Sequence, residues 1–156
     1  MTEGLPLNVY LDSNVFIYCL EGDADVAGPL QRMFSEMRSR VGVFVTSELT
    51  LAEVLAPSKK YGPVATQLKR RYLDLIVWNP SVQLHPVSRD VLYETADLRR
   101  RTGQKLPDAI HSVTAVRARC AFLLSGDHGM NRLPDGMAFV ETDSRSVNGL
   151  IESIHG

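Results

Sequence analysis

"VYLDSNVFIY", residues Val9 to Tyr18, is the stretch on which the fold turns. Apolar residues lead into Asp12, Ser13 and Asn14, and apolar residues resume at once. Leu7 to Leu11 has the length and content of a short buried strand, whereas Ser13 to Leu20 is apolar almost all round, as a buried helix is. A strand therefore runs straight into a helix, with an acid at the junction. Asp, Ser and Asn all cap helix N-termini well, so a cap explains this junction. A carboxylate needed for chemistry explains it equally.

Working outward, strands and helices keep alternating. Asp25 to Arg40 repeats apolar residues at helical spacing (Val26, Leu30, Met33, Phe34, Met37). "GVFVTS", Gly42 to Ser47, is rich in β-formers and predicts a second strand. Thr46 or Ser47 can cap the helix that follows through Leu55, which Pro57 ends. A helix is expected from about Pro63 to Val77, then a strand in "VQLHPV". Ser88 caps a helix that stops near Gly103, and Pro107 opens another that reaches about Ala118. "AFLLS", Ala121 to Ser125, predicts a fourth strand, "MAFVET" a short fifth, and a last helix runs from about Ser144 to Ile154. Such alternation predicts an α/β fold, a three-layer α/β/α sandwich around a mostly parallel sheet, in a single domain over residues 1–156. Ligands of such sheets bind outside the carboxyl ends of the strands.

Composition narrows the function classes. With 44% hydrophobic and 22% charged residues, the chain has the balance of a globular protein. The net charge of -1 excludes a general polycation, so any nucleic-acid contact must be a local patch. Cys19 and Cys120 sit in apolar surroundings without C-x-x-C spacing, as buried thiols in a reducing compartment do. The first residues lack the pattern of a secretory signal and no run approaches a membrane span, so a cytoplasmic setting is expected.

Four acids carry the chemical reading. Asp12 follows the first predicted strand and Asp127 follows "FLLSG", each at a carboxyl end. Asp127 also suits a turn among Gly126, His128 and Gly129. Glu53 lies in "LTLAEVLA", a helix otherwise apolar on nearly every face, where a buried carboxylate is costly unless paired or bound to metal. Asp108 stands in the first turn after Pro107, where an acid complements the helix dipole, yet the segment behind it, "AIHSVTAV", is core-like. If all four point into one cleft, their repulsion raises pKa values or destabilises the fold. A divalent cation relieves it, and an all-oxygen donor set favours Mg²⁺ or Mn²⁺ over zinc. Carboxylate clusters of this kind serve phosphodiester hydrolysis.

In order and spacing, "VYLDSNVFIY", "SELTLAEVL", "KLPDAIHSVTA" and "LLSGDHGM" resemble the motifs of PIN-domain ribonucleases, most closely the VapC-type toxins of toxin–antitoxin pairs. The resemblance spans about residues 8 to 130. It implies a three-layer α/β/α fold, Mg²⁺- or Mn²⁺-dependent cleavage of RNA, and a homodimer inhibited by a small antitoxin. By position it implies that Asp12, Glu53, Asp108 and Asp127 form the acidic quartet and hold the metal, with Ser13, Asn14 and Ser125 supporting them. The family often has another acid two residues after the last aspartate, followed by an aromatic. Here Gly129 and Met130 stand there, so one metal is the expectation.

Basic residues that precede Asp108, namely Lys105 and Arg99, Arg100 and Arg101, are the candidates for phosphate contacts, although charge runs on helices are usually solvated faces. His111, one turn after Asp108, either faces the cleft or is a satisfied core residue. The apolar residues around Phe34 and Tyr72 serve either a dimer or the core. A catalytically silent PIN module that binds RNA or a partner protein is the alternative to an enzyme. A phosphatase or phosphoacceptor site is disfavoured, because that phosphatase class places an acid where Asn14 stands.

Overall fold

The computed structural model describes residues 7–131, 133–134 and 136–155. Five strands form one sheet: β1 (Val9–Leu11), β2 (Phe44–Ser47), β3 (Val82–His85), β4 (Phe122–Leu124) and β5 (Ala138–Val140). Their order is β3-β2-β1-β4-β5, and every pairing is parallel. The seven helices among the described residues are α1 (Ser13–Glu21), α2 (Ala24–Glu36), α3 (Leu49–Val54), α4 (Thr66–Ile76), α5 (Arg89–Thr102), α6 (Leu106–Arg117) and α7 (Ser144–His155).

Alternation along β1 builds the three layers. A strand turns successive side chains to opposite faces. Val9 and Leu11 enter the larger core with Val15, Phe16, Leu30, Tyr72 and Ile151, while Tyr10 enters a second core with Val45, Ala115 and Leu123. On the first face α1 packs against α2 and α4, and α2 against α7; on the other, α5 packs against α6. Central strands buried on both sides read as unbroken apolar runs, which is why β1 and β2 lack the polar alternation of a half-exposed strand. Phe34 and Tyr72 are both buried in the larger core, so those positions are core rather than free surface.

The strand order places the site. From β1 the chain moves outward to β2 and β3, then returns to β4 on the other side of β1 and continues to β5. The crevice between the carboxyl ends of β1 and β4 is thus the topological switch point, where open α/β sheets bind ligands. The Asp12 amide donates to the Leu124 carbonyl at 3.1 Å, carrying the β1–β4 ladder up to the acid itself.

Element ends depart from sequence expectation where caps decide them. Asp12 is the N-cap of α1, as the capping explanation of the junction allowed. The helix expected from Pro63 begins at Thr66, because Ala65 is still extended with ψ of 144°. The helix expected to reach Arg40 ends at Glu36. Ser47 does help start α3, its hydroxyl accepting from the Leu49 amide, and Ser88 caps α5 by accepting from the Val91 amide. Gly103 closes α5 at φ of 70°, a left-handed turn that glycine adopts without cost. No helix among the described residues is long and apolar enough to cross a membrane.

Candidate active site

Asp12 is both cap and candidate catalytic group. It is buried, with 4% of its surface exposed. Oδ1 accepts from the Ser13 amide at 2.8 Å, and Oδ2 accepts from the Ser125 hydroxyl at 2.7 Å and from Asn14 Nδ2 at 3.3 Å. A buried carboxylate needs this many donors, since an unpaired charge there costs several kcal/mol. Ser13 thus acts through its backbone and Asn14 and Ser125 through their side chains.

Asn14 and Ser125 also join Asp12 to the β4 side of the crevice. Asn14 Oδ1 accepts from the Gly126 amide at 3.1 Å, and its Nδ2 donates to Ser125 Oγ at 3.3 Å. The Ser125 hydroxyl in turn accepts from the Asp127 amide at 2.9 Å. Asp127 is exposed, and its Oδ1 accepts from the Gly129 amide at 2.8 Å. Gly129 therefore contributes a backbone donor. A Cβ there would lie 3.1 Å from Asp127 Oδ1, tighter than an ordinary contact.

Glu53 and Asp108 arrive on separate helices. Glu53, on α3, is 29% exposed, and its Oε1 lies 2.6 Å from His111 Nε2. Asp108 stands in the first turn of α6, three residues before His111 on the same helix. Burial pushes the Asp108 carboxyl above its ordinary range, and the charges of Asp127, Asp12 and Glu53 push it the same way, against His111. The charges of the other three acids thus act on Asp108 in the direction that like-charge repulsion dictates.

His111 is the group that sequence reasoning left undecided. It is buried, with 1% exposed, yet it touches the cluster. Nδ1 lies 2.6 Å from the Tyr10 hydroxyl, and Nε2 lies 2.6 Å from Glu53 and 3.6 Å from Asp12 Oδ1. Tyr10 was missed altogether. Its hydroxyl, in a strand buried on both faces, was the signal that could have found it, since a buried phenol needs a hydrogen-bond partner. Burial, then the charge of Asp12, raises the Tyr10 hydroxyl well above its ordinary value.

The donor chemistry suits a hard divalent cation, since all four acids offer oxygen donors and none makes a lysine or arginine ion pair among the described residues. As the side chains stand, no group of three or more His, Cys, Asp or Glu among the described residues is arranged to hold a metal ion. The acids are neighbours rather than a closed ligand set.

The candidate phosphate-binding residues divide. Arg99 Nε donates to the Gln104 carbonyl at 3.1 Å, and Gln104 Nε2 reaches the Gly129 carbonyl at 3.5 Å, so Arg99 is linked to the loop beside Asp127. Lys105 is exposed at the N-cap of α6, three residues before Asp108. Arg100 and Arg101 instead pair with Asp97 at 2.8 and 3.2 Å on the open face of α5. A separate groove of about 760 Å³ runs between α5 and α6, lined by Tyr93, Leu98, Val113 and Val116 among others; none of the four acids lines it.

Known proteins share this architecture. No curated protein matches the chain by sequence. Similar solved structures include a toxin–antitoxin complex from Klebsiella pneumoniae, 21% identical, with a TM-score of 0.60 over 83% of this chain and 95% of that one. VapBC2 from Rickettsia felis, bound to a DNA fragment from its promoter, is 14% identical with a TM-score of 0.62 over 86% and 98% of the two chains. DNA-bound VapBC from Salmonella typhimurium is 15% identical with a TM-score of 0.60 over 87% and 98%. At these identities the likeness is one of fold. The PIN domain model matches residues 9–136, which span β1 to the loop before β5 and include all four acids, and the chain accordingly belongs to the PIN domain family.

Proposed function

We propose that this protein is a metal-dependent endoribonuclease and the toxin of a toxin–antitoxin pair. The observation that supports the reading is that Asp12 is linked at the switch point to Asp127 through Ser125 and to Glu53 through His111, on the helix that also carries Asp108. Perturbed carboxylates in such a crevice are candidates for catalysis.

Asp12, Asp108 and Asp127 are the proposed holders of Mg²⁺ or Mn²⁺, with Glu53 supporting them. Held there, such a cation would supply charge neutralisation at a phosphodiester and a lowered water pKa. The chain's own residues do the rest. Ser13, Asn14 and Ser125 keep the Asp12 oxygens aimed. Glu53 has one oxygen held by His111, which leaves Oε2 to accept a proton from the attacking water. Lys105, three residues before Asp108, and Arg99, linked through Gln104 to the Gly129 loop, are the proposed contacts to the RNA backbone. The solved toxin–antitoxin relatives support a small antitoxin as partner, and the family resemblance supports a homodimer.

The test is cleavage of RNA by the purified protein with Mg²⁺ or Mn²⁺, beside Asp12→Asn and beside excess EDTA. Equal cleavage in either control overturns the reading. A second reading, a catalytically silent PIN module that binds RNA or a partner, is favoured by Gly129, where the family often has an acid. Such a module shows no stabilisation on titration with Mn²⁺.

A further inference from the structure

The chain Tyr10–His111–Glu53 lies behind the acids, and its geometry gives His111 a task. We propose that His111 is a positioning residue whose Nε2–H, set by Tyr10, holds Glu53 beside Asp12. The proposal deepens the nuclease reading and rests on it.

Glu53 needs holding. It stands on a helix of six residues with no side-chain cap, and it is partly open to solvent. Asp108, whose carboxyl is pushed up partly by Glu53, is a like charge against it. A glutamate has enough rotamer freedom to escape by turning into water, where it regains hydration and loses the repulsion. A donor fixed on the protein side of the crevice opposes that escape.

Tyr10 makes His111 that donor. A buried phenol carries one proton at ordinary pH, and neutral imidazole has one N–H and one acceptor nitrogen. The Tyr10 hydroxyl, which can donate, is 2.6 Å from Nδ1, and the Glu53 carboxylate, which only accepts, faces Nε2; together they favour a ring whose Nδ1 accepts and whose proton sits on Nε2. Nε2 is the atom that faces Glu53 at 2.6 Å and Asp12 at 3.6 Å. The ring has no room to turn: it is buried and packs edge-on to Tyr10, with centroids 5.7 Å apart at 64°. A core histidine is satisfied by any two partners. This one spends its donor on an acid of the cluster and shares a helix with another. Groups that fix a ligating or catalytic carboxylate in this way are worth about 10- to 100-fold in affinity or activity.

The first arm of the test uses metal-free protein carrying ¹⁵N-labelled histidine. His111 is expected to give the nitrogen shift of a protonated Nε2. Tyr10→Phe is expected to give a mixture of tautomers while keeping a cooperative melt. An Nδ1-protonated ring in wild type, or a spectrum unchanged in Tyr10→Phe, overturns the proposal. The second arm is RNA cleavage with Mn²⁺. His111→Leu is expected to lower kcat about 10- to 100-fold with KM changed less than about twofold, and His111→Gln, which keeps a donor near Nε2, to recover most of it. Equal losses in both variants, in step with their melting temperatures, make His111 merely structural and overturn the proposal. Should His111→Leu not fold, Tyr10→Phe takes its place and is expected to show a smaller loss in kcat alone; unchanged kcat overturns the proposal. Failure of the wild type to cleave RNA refutes the nuclease reading, and the nitrogen spectrum still decides whether His111 is a donor to Glu53.

Discussion

The Ser125 hydroxyl donates to Asp12 Oδ2 at 2.7 Å, a bond between residues 113 apart that ties the carboxyl end of β4 to that of β1. Ser125 Oγ also accepts from the Asp127 amide and from Asn14 Nδ2. A serine offers one donor and two acceptor sites, and here all three are used. The side chain is fully buried, so none of these partners is replaced by water without rearrangement.

Ser125→Ala therefore removes the best-aimed donor to Asp12 and leaves buried polar groups short of a partner. We expect a loss of about 1–2 kcal/mol in stability by urea unfolding. We also expect RNA cleavage to fall by about tenfold or more, because Asp12 is no longer held. Cleavage unchanged from wild type refutes the positioning role of Ser125.

Asn14→Asp tests the charge balance of the same bridge. Asn14 donates through Nδ2 to both Asp12 and Ser125 while its Oδ1 accepts from Gly126. An aspartate keeps the acceptor, loses both donations and sets a second negative charge against Asp12. Alanine only deletes the bonds. Asn14→Asp is expected to cost about 1–3 kcal/mol at pH 7 and to cost more than Asn14→Ala. The reverse order in chemical denaturation rules out like-charge repulsion as the main cause of the loss.

Much of this was legible in the sequence, for physical reasons. A short apolar run at Val9–Leu11 and a run of β-formers at Phe44–Ser47, each followed by a helical segment, are what a parallel sheet covered on both faces requires, and the sandwich follows from them. Asp12 and Asp127 were expected after neighbouring strands, and β1 does pair with β4. What could not be read was the pairing of atoms across the chain. Nothing local tells Tyr10 that its partner is His111, 101 residues away, or that His111 will turn its other nitrogen to Glu53. The separation of Arg99, linked to the Gly129 loop, from Arg100 and Arg101, held by Asp97, is likewise a matter of which face of α5 each occupies. Helix ends at Glu36 and Thr66 were misplaced because periodicity runs past the residues whose backbone actually leaves the helix.

Gly126 shows how closely the crevice is packed. A Cβ placed there would lie 2.6 Å from Tyr18 Cε2 and 3.2 Å from Thr142 Oγ1. Its amide meanwhile must reach Asn14. Gly126→Ala is expected to destabilise the protein by about 1–3 kcal/mol, the usual cost of overpacking. Gly28→Ala, where an added Cβ meets nothing within 4 Å, is the matched control and is expected to be neutral or better. Equal unfolding midpoints for the two variants refute the steric account.

Asp108 offers the clearest pH signature. Burial and the neighbouring acids raise its folded pKa above the ordinary 3.8, so the folded protein binds this proton more tightly than the unfolded chain. Stability then falls as pH rises through the window between the ordinary and the raised value, and the penalty is complete above the raised value. Asp108→Asn removes the charge and hence the penalty. In metal-free protein it is expected to melt about 1–3 °C above wild type at pH 7, the shift that about 0.5–1 kcal/mol gives at this chain length, and to match wild type near pH 3. RNA cleavage by the same variant is expected to collapse, so stability and activity move in opposite directions. A melting difference that does not change with pH refutes charge crowding as its cause, and a variant less stable than wild type at pH 7 shows that the carboxylate is held by contacts stronger than the repulsion around it.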